Sequence, residues 1–143
     1  MDSYRSESTI RVRYQETDQM GIVYHANYLV WFEIGRTDYI RNLGLTYLGL
    51  EEIGLLLPVV DVQCRFLQPA RYDDEIVIIT SIETHNGSKL AFFYEAKRKK
   101  DNQLLAKGST THLWTTKEMK RINIRRTHPE IYEKLESKKV STC

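Results

Sequence analysis

The sequence predicts an α+β fold, an antiparallel sheet wrapped on a single long central helix. Three observations carry this. One short alternating segment, TIRVRY at 9–14, stands alone near the start. A long stretch of helical periodicity follows over about 25–43. Four further strand segments then run between 60 and 115, joined by tight polar connections.

Within 9–14, Ile10, Val12 and Tyr14 face one way and Arg11 and Arg13 the other, the pattern of a half-buried strand. A turn-like loop over 15–24 leads to the helix. There Tyr28, Phe32, Gly35, Arg36, Tyr39 and Leu43 recur at three- and four-residue steps, and Leu29 and Ile40 widen the stripe into a core-facing surface. Val30, Trp31 and Ile34 fall on the other side. A helix that is apolar nearly all round in its first half is buried on both sides, and one sheet covers only one of them. A second body, such as another subunit, is therefore expected over the rest. Gly44 is placed to stop the helix, and TYLGLEEI at 46–53 reads as a short weak helix ahead of Gly54.

Val60, Val62, Cys64 and Phe66 then alternate with Asp61, Gln63 and Arg65 until Pro69 ends the run. EIVIITSIE at 75–83 is the next strand. The Asn-Gly pair in HNGS, 85–88, is a strong hairpin signal. KLAFFYEAKR at 89–98 returns, KKDNQ at 99–103 makes a second polar turn, and 104–115 forms the last long strand. A weak helix near 129–138 opens on Pro129, a residue favoured in a first helical turn. No repeat, low-complexity segment or linker divides the chain, and 143 residues suit one domain, 1–143.

Lys and Arg number 21 against 19 Asp and Glu, so no charge bias points to nucleic acid or a membrane surface. Basic residues do gather at 97–100 (KRKK) and 117–126; the first run reads as a solvated hairpin tip. Cys64 and Cys143 are both expected as free thiols, with Cys64 buried, which favours a reducing compartment. The start, MDSYRSES, holds no apolar signal region, and no apolar run reaches the ~18 residues of a membrane span. A cytoplasmic protein is expected. No zinc-type Cys/His spacing, phosphate loop or GxSxG elbow is present, and neither a metal nor a cofactor is expected.

Chemistry concentrates in YQETDQMGIVYHANYLVWFE, 14–33. Asp18 sits outside any periodic pattern, in a loop that delivers the chain to a helix N-terminus. Free N–H groups and the positive end of the helix dipole can there polarise a carbonyl and hold the oxyanion of a tetrahedral intermediate. A carboxylate beside them can attack an activated acyl group or deprotonate a water that does. Plainer readings stand beside this one. Asp18 also suits an Asx-turn, His25 an inert hydrogen-bonded position, and Asn27 a helix cap. Trp31, Phe32 and the tyrosines read as core, Glu33 as a solvated helix residue, and His112, on the strand face of Trp114, as a core or interface histidine.

The block Thr17-Asp18, Gly21-Ile22-Val23-Tyr24-His25 and Asn27-Tyr28 resembles the signature of hotdog-fold thioesterases, in the YbgC-like branch of the 4-hydroxybenzoyl-CoA thioesterase family. The likeness runs over about 9–124, with LAKGSTTHLW similar to the family's last strand. It implies a five-stranded antiparallel sheet round the long helix, and homodimers with a continuous sheet that often pair into homotetramers. It implies acyl-CoA or acyl-carrier-protein thioesters as substrates. The catalytic carboxylate maps to Asp18, as nucleophile or general base, and the carbonyl-polarising amide falls near Tyr24 and His25. His25 would orient substrate or water, and Tyr24, Asn27 and Tyr28 would contact substrate. A separate branch uses a helix carboxylate, for which Glu33 is the nearest candidate and ranks below Asp18. A non-catalytic acyl-thioester binder and a hydratase of similar fold are the rival readings; the second needs a different Asp/His arrangement. The Gln19-Met20 dipeptide sits where the family varies, which leaves substrate size open.

Overall fold

Strand β1 (Arg5–Arg11) opens the fold, followed by a 3₁₀ turn at Tyr14–Glu16 and the long helix α1 (Asn27–Asn42). The short helix α2 (Tyr47–Glu52) leads to β2 (Val59–Phe66), β3 (Glu75–His85), β4 (Lys89–Arg98) and β5 (Gln103–Leu113). Helices α3 (Ile124–Thr127) and α4 (Pro129–Lys139) complete it. These elements come from a computed structural model that describes residues 4–139; the predicted thiol of Cys143 lies outside the described residues. The strands form one antiparallel sheet in the order β1-β3-β4-β5-β2, curled about α1.

β1 lies earlier than the predicted 9–14. It pairs with β3 from Arg5 opposite Ser81 to Arg11 opposite Glu75. Tyr14 does not extend the strand: it begins the 3₁₀ turn and is 77% exposed. The inward positions Ser6 and Ser8 are polar, which hides the strand from a hydrophobic pattern. Their hydroxyls are satisfied on the helix instead. Ser8 Oγ donates to Asp38 Oδ2 at 2.6 Å, and Asn42 Nδ2 donates to Ser6 Oγ at 3.1 Å. A buried hydroxyl with a partner carries no desolvation penalty worth breaking the strand for.

α1 packs on β1, β3 and β4 through Tyr28, Trp31, Phe32, Gly35, Tyr39 and Ile40. Phe32 stacks on Tyr94 of β4, with ring centroids 4.4 Å apart and planes 4° from parallel. Gly35 sets the closeness of this contact: a Cβ there would collide with Thr80 Oγ1 and come within 2.9 Å of an Ile78 methyl. Two assignments on this helix are corrected. Trp31, predicted on the second face, is buried within the chain, and Leu29, predicted in the core stripe, is 40% exposed. At 100° per residue Trp31 lies about 40° from Gly35 and about 60° from Tyr28, at the margin of the buried stripe, whereas Leu29 lies about 40° from exposed Glu33. Val30 and Ile34 are exposed at 47% and 37%, so a second apolar face exists, built on Leu29, Val30 and Ile34.

Among the described residues β2 pairs with β5 alone and occupies a sheet edge. Val62, Cys64 and Phe66 point toward the helix side, and a bulge at Val60 brings Val59 rather than Val60 into line with them, but α1 packs mainly on β1, β3 and β4 and leaves this strand largely uncovered. Val60, Val62 and Phe66 are 54%, 43% and 48% exposed, and Cys64 is half-buried rather than buried. Burial still pushes the Cys64 thiol up to about 11, so it is protonated and unreactive at neutral pH. The Asn-Gly turn forms as predicted. Gly87 takes φ +90°, and Asn86 Oδ1 accepts the N–H groups of Ser88 and Lys89 at 3.1 and 2.9 Å. In the KRKK run, Arg98 is bound to Asp101 and Asp74 rather than free in solvent. Among the described residues, no helix is long and apolar enough to cross a membrane.

Candidate active site

The segment from Glu16 to Tyr28 is a tight loop held at both ends. Thr17 and Val23 bridge as in a two-residue sheet, and Val23 N–H donates to Ala70 O at 2.9 Å. Inside this bridge, Asp18 N–H donates to Ile22 O and Gly21 N–H to Asp18 O, at 2.9 and 3.0 Å. Gly21 supplies the φ of +80° that closes the turn.

Asp18 makes the predicted Asx-type contact: its Oδ1 accepts Met20 N–H at 2.9 Å. Its second oxygen has no hydrogen-bond partner among the described residues. The loop therefore orients the carboxylate through one oxygen, and this turn contact does not occupy the other. Asp18 lines a cleft of about 350 Å³ together with Met20, Ile22, His25, Tyr28 and Phe66. This lies at the small end of ligand pockets. Leu67, Gln68 and Pro69, from the segment after β2, close its other side.

Aromatic rings form one wall. Phe66 meets Tyr28 edge-on at 5.1 Å and His25 at 6.1 Å, and His25 lies 4.4 Å from Tyr24. Tyr28 is anchored by its hydroxyl, which accepts Ala70 N–H at 3.3 Å; burial raises its pKa and keeps it neutral. Tyr24 and Asn27 do not line the cleft. Asn27 Nδ2 donates to Glu16 O at 2.9 Å, and the Tyr24 N–H donates to the same carbonyl at 2.8 Å. Asn27 is thus a tether rather than a cap, and among the described residues no side chain caps the N-terminus of α1. With Tyr24 N–H occupied, the N–H groups at the helix entry that find no acceptor among the described residues belong to His25 and Ala26.

Glu33 is exposed and absent from the cleft lining. His112 is a buried core histidine hydrogen-bonded through both ring nitrogens, away from the cleft. Sequence reasoning missed Phe66, Gln68 and Pro69 as cleft residues and Glu16 as the hub of the loop. Phe66 had been placed only by strand alternation; nothing local signals that β2 ends against a loop some fifty residues earlier.

A sheet curled round one helix, with a loop acid and open amides at the helix entry, is the architecture of a hotdog-fold thioester hydrolase. The chain belongs to the thioesterase-like superfamily, whose family model matches residues 12–135. More particularly, it is 44% identical to YneP of Bacillus subtilis, by its name a candidate acyl-CoA thioesterase, over 90% of this chain and 96% of that protein. It is 34% identical to the acyl-CoA thioesterase YbgC of Haemophilus influenzae, over 70% of this chain and 73% of the other. Among solved structures, DHNA-CoA thioesterase from Staphylococcus aureus superposes with a TM-score of 0.88 at 32% identity, covering 93% of this chain and 89% of that one.

Proposed function

We propose that this enzyme hydrolyses acyl-CoA thioesters to the free acid and CoA, with Asp18 as the acting carboxylate. The observation that carries the assignment is the presence, at one helix entry, of an Asp18 oxygen and two N–H groups that find no hydrogen-bond partner among the described residues. The thioester carbonyl oxygen takes its place against the His25 and Ala26 amides, where the helix dipole adds to their pull. Asp18 then attacks the carbonyl carbon to give a mixed anhydride that water cleaves, or it takes a proton from the water that attacks directly. On either route CoA leaves as its thiolate and the acyl group departs as a carboxylate. His25, on the cleft wall, orients the acyl group or the water.

A second copy of the chain is the proposed cover for the apolar face of α1 and β2. Leu29 and Val30 line a shared hollow with the exposed Val59 and Val62 of β2, with Ile34 exposed further along the same helix, and among the described residues no strand pairs with the outer edge of β2, which could continue the sheet. The reaction is placed in the cytoplasm, which suits a free, half-buried Cys64.

The test is Asp18→Asn, assayed for thiol release over short, medium and aromatic acyl-CoAs and carrier-protein thioesters. Asn keeps the oxygen that accepts Met20 N–H, so the loop survives while the charge is lost. kcat is expected to fall at least about a hundredfold. A wild-type rate in the variant removes Asp18 from the mechanism. Tight acyl-CoA binding by the native protein without thiol release would mark a binding protein instead.

A further inference from the structure

Glu16 stands two residues before Asp18 and has no part in the steps above. It is only 4% exposed, which is rare for a glutamate unless both oxygens are held. Both are. Oε1 accepts Arg13 N–H at 2.8 Å, and Oε2 accepts the Trp31 indole N–H at 3.1 Å with Arg13 Nη2 3.5 Å away. Its backbone carbonyl accepts Tyr24 N–H and Asn27 Nδ2, at 2.8 and 2.9 Å. One residue therefore grips the chain leaving β1, the approach to the helix, and the first and second turns of α1. His25 and Ala26, with their open amides, lie between two of these anchors, Tyr24 and Asn27.

We infer that Glu16 is a positioning residue for thioester hydrolysis: through its carboxylate on Arg13 and Trp31 and its carbonyl on Tyr24 and Asn27, it holds the His25 and Ala26 amides at the acyl carbonyl. The inference rests on the carbonyl site proposed above. Its physical core is the geometry of the donors. Two N–H groups converge on the Glu16 side chain from opposite sides, and only a carboxylate can accept from both. A glutamine has the same size but must turn its NH₂ toward one of the two donors. A buried donor facing a donor is costly enough to move the helix entry. Oxyanion donors act over a narrow range of positions, and a misplacement of about 1 Å can lower a rate about a hundredfold.

The experiment compares wild type, Glu16→Gln, Trp31→Phe and the double variant. Steady-state kinetics on the best acyl-CoA of the panel accompany ¹H–¹⁵N spectra taken without substrate. In Glu16→Gln, kcat falls about ten- to a hundredfold, while KM stays within about threefold because the cleft wall is untouched. The His25 and Ala26 amide resonances shift. Trp31→Phe removes the opposing donor, so the double variant loses less than the product of the two single losses. A lowered melting temperature with unchanged kcat and unmoved His25 and Ala26 resonances overturns the inference, because that is the signature of a merely structural acid. Strictly multiplicative losses overturn it as well. If wild type hydrolyses no thioester, the proposed reaction fails, and the amide shifts alone still decide whether Glu16 sets the helix entry.

Discussion

Acidification is expected to destabilise the fold through His112, one buried side chain. The Leu57 carbonyl can only accept, so Nδ1 carries the hydrogen and donates to it at 3.1 Å. Nε2 then accepts from the Thr110 hydroxyl at 2.8 Å, and Thr110 in turn accepts from Tyr94 OH at 2.6 Å. A proton on Nε2 would break this chain of donors. Burial, aided by the nearby Arg36 guanidinium and opposed by the Leu57 bond, pushes the His112 pKa from 6.5 down to about 4. The unfolded chain takes up a proton below about pH 6.5 that the folded protein refuses until about pH 4. The neutral histidine's contribution is thus fully present above pH 6.5 and is lost as the pH falls toward 4. At 1.36 kcal/mol per pKa unit, the loss at about pH 4.5 is about 2–3 kcal/mol. That is a large share of the ~5–15 kcal/mol that hold a domain together. Urea denaturation of wild type and His112→Gln between about pH 7.5 and 4.5 measures it. The variant starts less stable but has a pH profile flatter by about 2–3 kcal/mol, since glutamine does not titrate. Parallel profiles, or an imidazole that titrates near 6.5 by NMR in the folded protein, would refute the reasoning.

Two further substitutions probe the fold and the assembly. Gly35→Ala gains about 1 kcal/mol of helix propensity, but its methyl collides with Thr80 and Ile78, and overpacking costs about 1–3 kcal/mol. A net loss of up to about 2 kcal/mol is expected by chemical denaturation, and a stabilised variant would show that α1 can lift off the sheet freely. Val62→Glu places an acid on the exposed inner side of β2, where a second copy would juxtapose like charges at a cost of several kcal/mol. Sedimentation should show its dimer weakened at least about a hundredfold with the monomer still folded; an unchanged molecular mass would move the subunit contact elsewhere.

What was legible in the sequence was what depends on neighbours. α1 follows from three- and four-residue spacing, β3, β4 and β5 from alternation and the turns between them, and the Asn86-Gly87 turn from its two residues. Each structure falls within a few residues of its prediction. The placement of Asp18 in a loop next to the helix entry was legible too, because Asp18 and the start of α1 lie within one short stretch. The surplus of apolar residues on the first half of α1 was visible, and the exposed face of Leu29, Val30 and Ile34 accounts for it.

The remainder turned on contacts between residues far apart in the chain. β1 reads as polar until Ser8 finds Asp38 thirty positions away. Trp31 reads as surplus until Glu16, fifteen positions earlier, accepts its indole hydrogen. β2 has the alternation of a buried strand, but burial depends on where α1 lies, and α1 covers β1, β3 and β4 instead. The same holds at the site. An acid at 18 is a property of the chain; which amides stand open beside it is a property of the fold. Glu16 O takes the Tyr24 N–H and leaves those of His25 and Ala26, and no local pattern encodes that choice, because a hydrogen bond is settled by which donor arrives within 3 Å once the core has packed.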